Sequence, residues 1–154
     1  MTDSDKVLVF NFFHTFARFE YALKASGYCT PGKIEAEPDW DKFGNDLAAL
    51  DSGQFAETLT KGHYILNNEP QKQIVIQRPD GSRVLSWKTS RPTAKPIKVL
   101  IIYVGRIRNN LFHGGKFPML LDRDRQLLED GVSVLTALLA VPSLPADVKE
   151  NFYK

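Results

Sequence analysis

The stretch PIKVLIIYVGRI, residues 96–107, constrains this chain most. Ile97, Val99, Leu100, Ile101, Ile102, Tyr103, Val104 and Ile107 leave a helix almost no polar side, and such a helix is stable only at the centre of other elements. Pro92 and Pro96 keep it from starting before about residue 96. The run is about half the length needed to cross a bilayer, so it reads as a core helix and no membrane partner is expected.

The rest of the chain supplies amphipathic partners. Over residues 5–27, Val9, Phe12, Phe13, Phe16, Phe19 and Leu23 recur at three- and four-residue steps, which predicts a helix with one wide apolar face and a stop at Gly27. Asp39 is placed to cap a second helix that buries Phe43, Leu47 and Leu50, and a third helix is expected from Ser52. Pro118 and Asp122 open a last long helix carrying Leu128, Val132, Leu135, Leu138 and Leu139. Between them the period changes. KQIVIQ and SRVLSW flank RPDG, which predicts a β-hairpin at about residues 72–88. The fold class is therefore mainly α, an antiparallel helical bundle with a β-hairpin insertion, in a single domain over residues 1–154.

Charge is distributed unevenly. Residues 91–125 carry a net +6, against −2 for residues 1–90 and −2 for residues 126–154. A local basic excess suits an anionic ligand such as RNA, although short basic segments also solubilise helix ends. The single cysteine, Cys29, has no ligand-spaced partner, and the polar start MTDSDK is followed by no leader pattern. A cytoplasmic setting is expected.

The basic excess coincides with RIRNNLFHGGK, residues 106–116. Arg108 stands four residues after Val104 and seven after Ile101, on a core-facing stripe where a permanent cation needs a carboxylate or a phosphate. Glu20, at the edge of the buried side of the first helix, is a candidate partner; alternatively both side chains snorkel to the surface. His113 follows five steps later, a rotation of about 140° and a rise of about 7.5 Å, so an unbroken helix does not aim both side chains at one point. Either the last turn distorts at Gly114 and Gly115, or a two-fold dimer brings two copies together. An imidazole that exchanges a proton near neutrality and a guanidinium that holds a phosphate are the parts of a metal-independent ribonuclease. No metal or other cofactor is called for. The Arg-to-His spacing by itself arises readily by chance.

Its context adds to it. RNNLFH at the end of an apolar helix resembles the signature of the HEPN superfamily (higher eukaryotes and prokaryotes nucleotide-binding domains), and FFHTFARFEYALKASGY resembles the opening helix of a small stand-alone branch. The resemblance covers about two-thirds of the chain by the extent of the helical scaffold and leaves the hairpin as an insertion. It implies Arg108 and His113 as catalytic residues, Asn109 as the polar residue that orients them, and a homodimer whose two pairs line one cleft. It also implies a toxin or defence effector, with an antitoxin or regulatory protein as partner. Two positions after His113, where the nucleotidylated branch carries a tyrosine, this chain has Gly115, so that mode of regulation is not implied. Lys116 and Arg106 lie outside the motif and are candidate phosphate contacts from charge and proximity alone.

The function expected is a metal-independent endoribonuclease. The alternative is the same fold without turnover, serving as an RNA- or nucleotide-binding or dimerisation module. His14 and His63 read as surface or helix-end residues, Cys29 as inert, and the phenylalanines of the first helix as core.

Overall fold

In a computed structural model, residues 1–113 and 119–154 are described. Seven α-helices and one two-stranded antiparallel hairpin are formed among them. α1 spans Asp3–Ala25, α2 Trp40–Ala48, α3 Ala56–Lys61, α4 His63–Asn67, α5 Pro96–Phe112, α6 Asp122–Leu139 and α7 Ala146–Tyr153; β1 is Lys72–Gln77 and β2 Arg83–Lys88. No described helix is long and apolar enough to cross a membrane.

Each helix boundary has a local cause. Thr2 accepts from Asp5 N–H while the Asp5 carboxylate accepts from Thr2 N–H, closing a capping box on α1. At its other end Tyr28 N–H reaches Leu23 O and Gly27 N–H reaches Lys24 O, and Gly27 takes φ +85°, which a glycine adopts without a Cβ clash. The expected stop at Gly27 is thus met, with the helix proper ending two residues earlier. Asp39 caps α2 by accepting from Lys42 N–H at 2.8 Å. Pro96 sits in the first turn of α5, where its missing N–H costs nothing.

The expected third helix is broken instead of continuous. A 3-10 turn over Ser52–Phe55 leads into α3, and α4 begins after Gly62. The reason lies in packing: a Cβ on Gly62 would stand 2.5 Å from Leu100 Cδ2, so only a glycine lets this junction approach α5.

α1 runs along α6 and α7, α2 and α4 pack on α5, and α3 lies on α6. α5 is buried nearly all round, through Ile97, Val99, Leu100, Ile101, Tyr103, Val104, Ile107 and Leu111, as its composition requires. On α1 the buried stripe is Phe12, Phe16, Phe19 and Leu23, with Val9 half-buried at its edge. Phe13, expected in the core, is 46% exposed, because the apolar row on this helix is wider than the face its neighbours cover. Gly131 of α6 brings that helix close to α1; a Cβ there would meet the Phe12 ring at 2.7 Å.

The hairpin pairs Lys72 with Lys88 through to Gln77 with Arg83, and turns through Arg78–Ser82 with Gly81 at φ +86°. Two strands are marginal on their own. This pair is fastened to the bundle at its base, where four successive backbone carbonyls, Asn68 to Gln71, accept side-chain donors. Arg123 Nη2 takes Asn68 O at 3.0 Å and Glu69 O at 2.9 Å, Arg106 takes Pro70 O at 3.5 Å, and Asn110 takes Gln71 O at 2.9 Å. Arg106 also donates to Ser90 O, two residues past β2, so one guanidinium ties both ends of the hairpin to α5.

Candidate functional site

The Arg–Asn–His run occupies the last turn of the central helix. α5 continues without interruption to Phe112, and His113 caps it at φ −79°, ψ 11°, its N–H donating to Asn109 O at 2.9 Å. The helix therefore does not distort between Arg108 and His113. The glycines at 114 and 115, Lys116 and Pro118 lie outside the described residues, and nothing structural is attached to the expectations made for them.

Arg108 is half-buried. Its guanidinium lies over Phe112 at 5.1 Å and over Phe16 at 5.9 Å from the ring centroids, and Nη1 donates to Asn109 Oδ1 at 3.1 Å. No ion pair joins it to a carboxylate among the described residues. Glu20 lines the same cleft, of about 590 Å³, with Lys24, Lys33, Glu35, Glu37 and Trp40, but does not pair with the guanidinium. A cation held against aromatic rings, with its planar face partly desolvated and no partner of opposite sign in contact, keeps donors available for an oxyanion.

His113 is exposed and opens into a different cleft. That second cleft, about 420 Å³, lies between the end of α5 and the hairpin, and is lined by Asn109, Asn110, Gln71, Gln73, Val75 and Leu85, among others. Within one chain, then, the two implied catalytic side chains face apart, as the helical geometry of a five-residue spacing demands. Asn109 is the residue common to both sides: its carboxamide holds Arg108, and it borders the cleft of His113.

Arg106 borders the His113 cleft, but its guanidinium is engaged with the scaffold. It is 7% exposed, its donors serve Ser90 O and Pro70 O, and its guanidinium lies over the Tyr103 ring at 5.0 Å. Burial pushes its pKa down from the ordinary arginine value, against the pull of Tyr103 and Glu69. Other cations of the basic segment are also occupied. Lys95 donates to Ala48 O, Lys98 pairs with Asp41 at 2.8 Å, Arg123 holds hairpin carbonyls, and Arg125 bridges Asp5 and Asp122, each at 2.6 Å. The local excess of +6 is thus largely internal wiring, and Arg108 is the described cation of α5 that remains directed at solvent space.

Beside the site lies an apolar groove lined by Met1, Val9, Phe10, Phe13, Leu111 and Phe112. Phe10 is 62% exposed and Phe112 49%, and the Phe13 and Phe112 rings meet at 5.6 Å. The groove adjoins Arg108 through Phe112, which touches both.

The remaining candidates are peripheral. His14 is exposed and stacks on Phe10 at 6.0 Å, His63 opens α4, and Cys29 is a free exposed thiol. Among the described residues no group of three or more His, Cys, Asp or Glu is placed to hold a metal ion. The sequence reading missed the hairpin wall of the His113 cleft: Gln73, Val75 and Leu85 approach α5 only through side-chain anchors that no local pattern announces. Comparison of the chain with protein-family models, with curated proteins and with solved structures finds no match.

Proposed function

We propose that this chain is a metal-independent endoribonuclease of the HEPN type, in which Arg108 and His113 act across a homodimer. The observation that carries the reading is the state of Arg108: half-buried over two aromatic rings at the end of the core helix, oriented by Asn109, and without a carboxylate in contact. Such a cation is served by a phosphate.

In the reaction the ribose 2′-oxygen attacks the adjacent phosphorus while the bond to the 5′-oxygen breaks, leaving a 2′,3′-cyclic phosphate and a 5′-hydroxyl. His113 moves a proton, from the attacking hydroxyl or to the departing oxygen, and Arg108 offsets the charge developing on the phosphoryl oxygens. Because the two side chains open on opposite sides of one α5, the pair is completed by a second copy. The apolar groove around Phe10, Phe13 and Phe112 is the surface on which that copy docks, since it adjoins Arg108 and would otherwise leave large rings in water. A toxin or defence role, opposed by an antitoxin, follows from the same family reading.

The test is cleavage of single-stranded RNA by purified protein in excess EDTA. Activity that persists in chelator and is lost in both His113→Ala and Arg108→Ala supports the mechanism. Activity abolished by EDTA, or retained by His113→Ala, overturns it. The divergence of Arg108 and His113 within one chain favours a second reading, an RNA-binding module without turnover, for which salt-dependent binding without cleavage is the signature.

A further inference from the structure

We infer that the cleft between the hairpin and the end of α5 is a nucleobase subsite for single-stranded RNA, and that the hairpin is the element that selects the base beside the cleaved bond. The inference rests on the ribonuclease reading for the identity of the bond, but not for the binding itself.

Four carboxamides, those of Gln71, Gln73, Asn109 and Asn110, line this cleft together with His113, and no carboxylate among the described residues does. Carboxamides offer a donor and an acceptor side by side, which is the chemistry that reads the edge of an unpaired base. Three of these groups already have other contacts: Asn109 Oδ1 accepts from Arg108, Asn110 Nδ2 donates to Gln71 O, and Gln71 Nε2 lies 3.5 Å from Thr89 Oγ1. The Gln73 carboxamide has no hydrogen-bond partner among the described residues and is the free reader.

The same wall supplies stacking surface. In the hairpin register Gln73 faces Trp87, Val75 faces Leu85 and Gln77 faces Arg83, so these six share one side of the ribbon. Gln73, Val75 and Leu85 of that side border the cleft. Val75 is 52% exposed, Leu85 69% and Trp87 39%, an apolar and aromatic strip of the kind on which bases stack without regard to sequence.

Charge favours the same occupant. The hairpin, residues 72–88, carries a net +3, its one acid being Asp80 at the turn, where Ser82 engages the carboxylate. Lys72 and Lys88 stand directly opposite one another with no ion pair to either among the described residues. Like charges in that position destabilise a ribbon, and a phosphate between them reverses the sign of the interaction. By register Lys72 and Lys88 lie on the other side of the ribbon from Gln73, Val75 and Leu85, but Lys72 also borders the cleft, which offers a backbone contact at its rim.

The two tryptophans of the chain make the test direct, because each reports on one cleft: Trp40 lines the Arg108 cleft and Trp87 shares the hairpin side with Gln73. The probe is a single-stranded RNA oligomer with every ribose 2′-O-methylated, which lacks the nucleophile and survives titration. The expected result is a change in tryptophan emission in Trp40→Phe, where Trp87 is the sole reporter, while any change left in Trp87→Phe belongs to the Arg108 cleft; circular dichroism confirms the fold of each. Gln73→Ala and Leu85→Ser are expected to weaken binding about tenfold each, and to broaden the distribution of cut sites in a randomised unmodified RNA.

No emission change in Trp40→Phe with any RNA, or affinity and cut-site distribution unmoved by both Gln73→Ala and Leu85→Ser, overturns the inference. Binding through the hairpin by a protein that does not cut leaves the subsite standing and removes the ribonuclease reading. Cutting with an unaltered site distribution in both variants, at unaltered affinity, removes the subsite alone.

Discussion

Replacing Arg106 by methionine keeps much of the side-chain volume and removes the cation that joins both ends of the hairpin to α5. In the native protein the guanidinium donates to Ser90 O and, at 3.5 Å, to Pro70 O. The first is a charge-assisted bond of about 1.5–3 kcal/mol, and its loss leaves a half-buried acceptor without its donor. The second is long enough to add little. Stacking over Tyr103 at 5.0 Å contributes about 0.5–1 kcal/mol more. Against these stands the burial of the guanidinium, whose Nε has no hydrogen-bond partner among the described residues; methionine relieves that cost, by about 1–3 kcal/mol. The net expected loss is about 1–2 kcal/mol, because the carbonyls are orphaned as the cation departs. That corresponds to a fall in Tm of about 2–8 °C for a domain of this size. Hydrogen exchange gives the sharper measurement. Amides of β1 and β2 should exchange about 5- to 30-fold faster in Arg106→Met, since each 1.4 kcal/mol is a factor of ten. Wild-type Tm together with wild-type exchange rates in the hairpin would refute the claim that Arg106 anchors it.

Two glycines should respond to alanine with opposite signs. Gly131→Ala is expected to lower stability by about 1 kcal/mol, because its Cβ meets the fully buried Phe12 ring at 2.7 Å and overpacking outweighs the gain in helix propensity. Gly105→Ala, with nothing within 4 Å of its Cβ, should raise stability by about 0.5–1 kcal/mol; urea midpoints check both. The Arg125 guanidinium, followed by the Thr2 backbone N–H, holds the Asp5 carboxyl well below the usual carboxylate range. A lowered folded-state pKa means that its stabilisation is fully present above the unfolded value near 3.9 and is lost as pH falls below it. The stability gap between wild type and Asp5→Asn should therefore be constant near neutrality and narrow below about pH 4; a gap that widens in acid counts against the linkage. Phe13→Glu, placed in the exposed groove, should leave the Tm within about 2 °C, as surface changes do, while shifting sedimentation from dimer to monomer. A variant that sediments as wild type removes this groove as the dimer contact.

The helical scaffold was legible because its determinants are local. A run such as VLIIYV has few other destinations than a core helix, and the helix starts at Asp39 and Pro96 need only their own next turn. The break at Gly62 was not legible, because its cause is Leu100, on another element. The same distinction explains Phe13. Periodicity states which side chains share a helix face, but the width of that face that becomes covered depends on where α6 and α7 lie.

For the candidate site, the residue positions were readable and their use was not. Counting cations over residues 91–125 treats each as free, whereas Arg106 and Arg123 serve carbonyls on either side of the hairpin base and Arg125 serves Asp5. A side chain that anchors a distant carbonyl leaves no mark in its own neighbourhood of sequence. What the removal of those cations leaves is informative in its own right. With the Arg106 donors spent on the scaffold, Arg108 is the cation of the α5 terminus with donors left to a cleft, and Asn109 accepts from one of them. An intrachain pair would require the helix to unwind by a turn and break the bond from His113 N–H to Asn109 O. Joining Arg108 of one copy to His113 of another needs no such cost, so the straightness of α5 is itself an argument for a two-chain site.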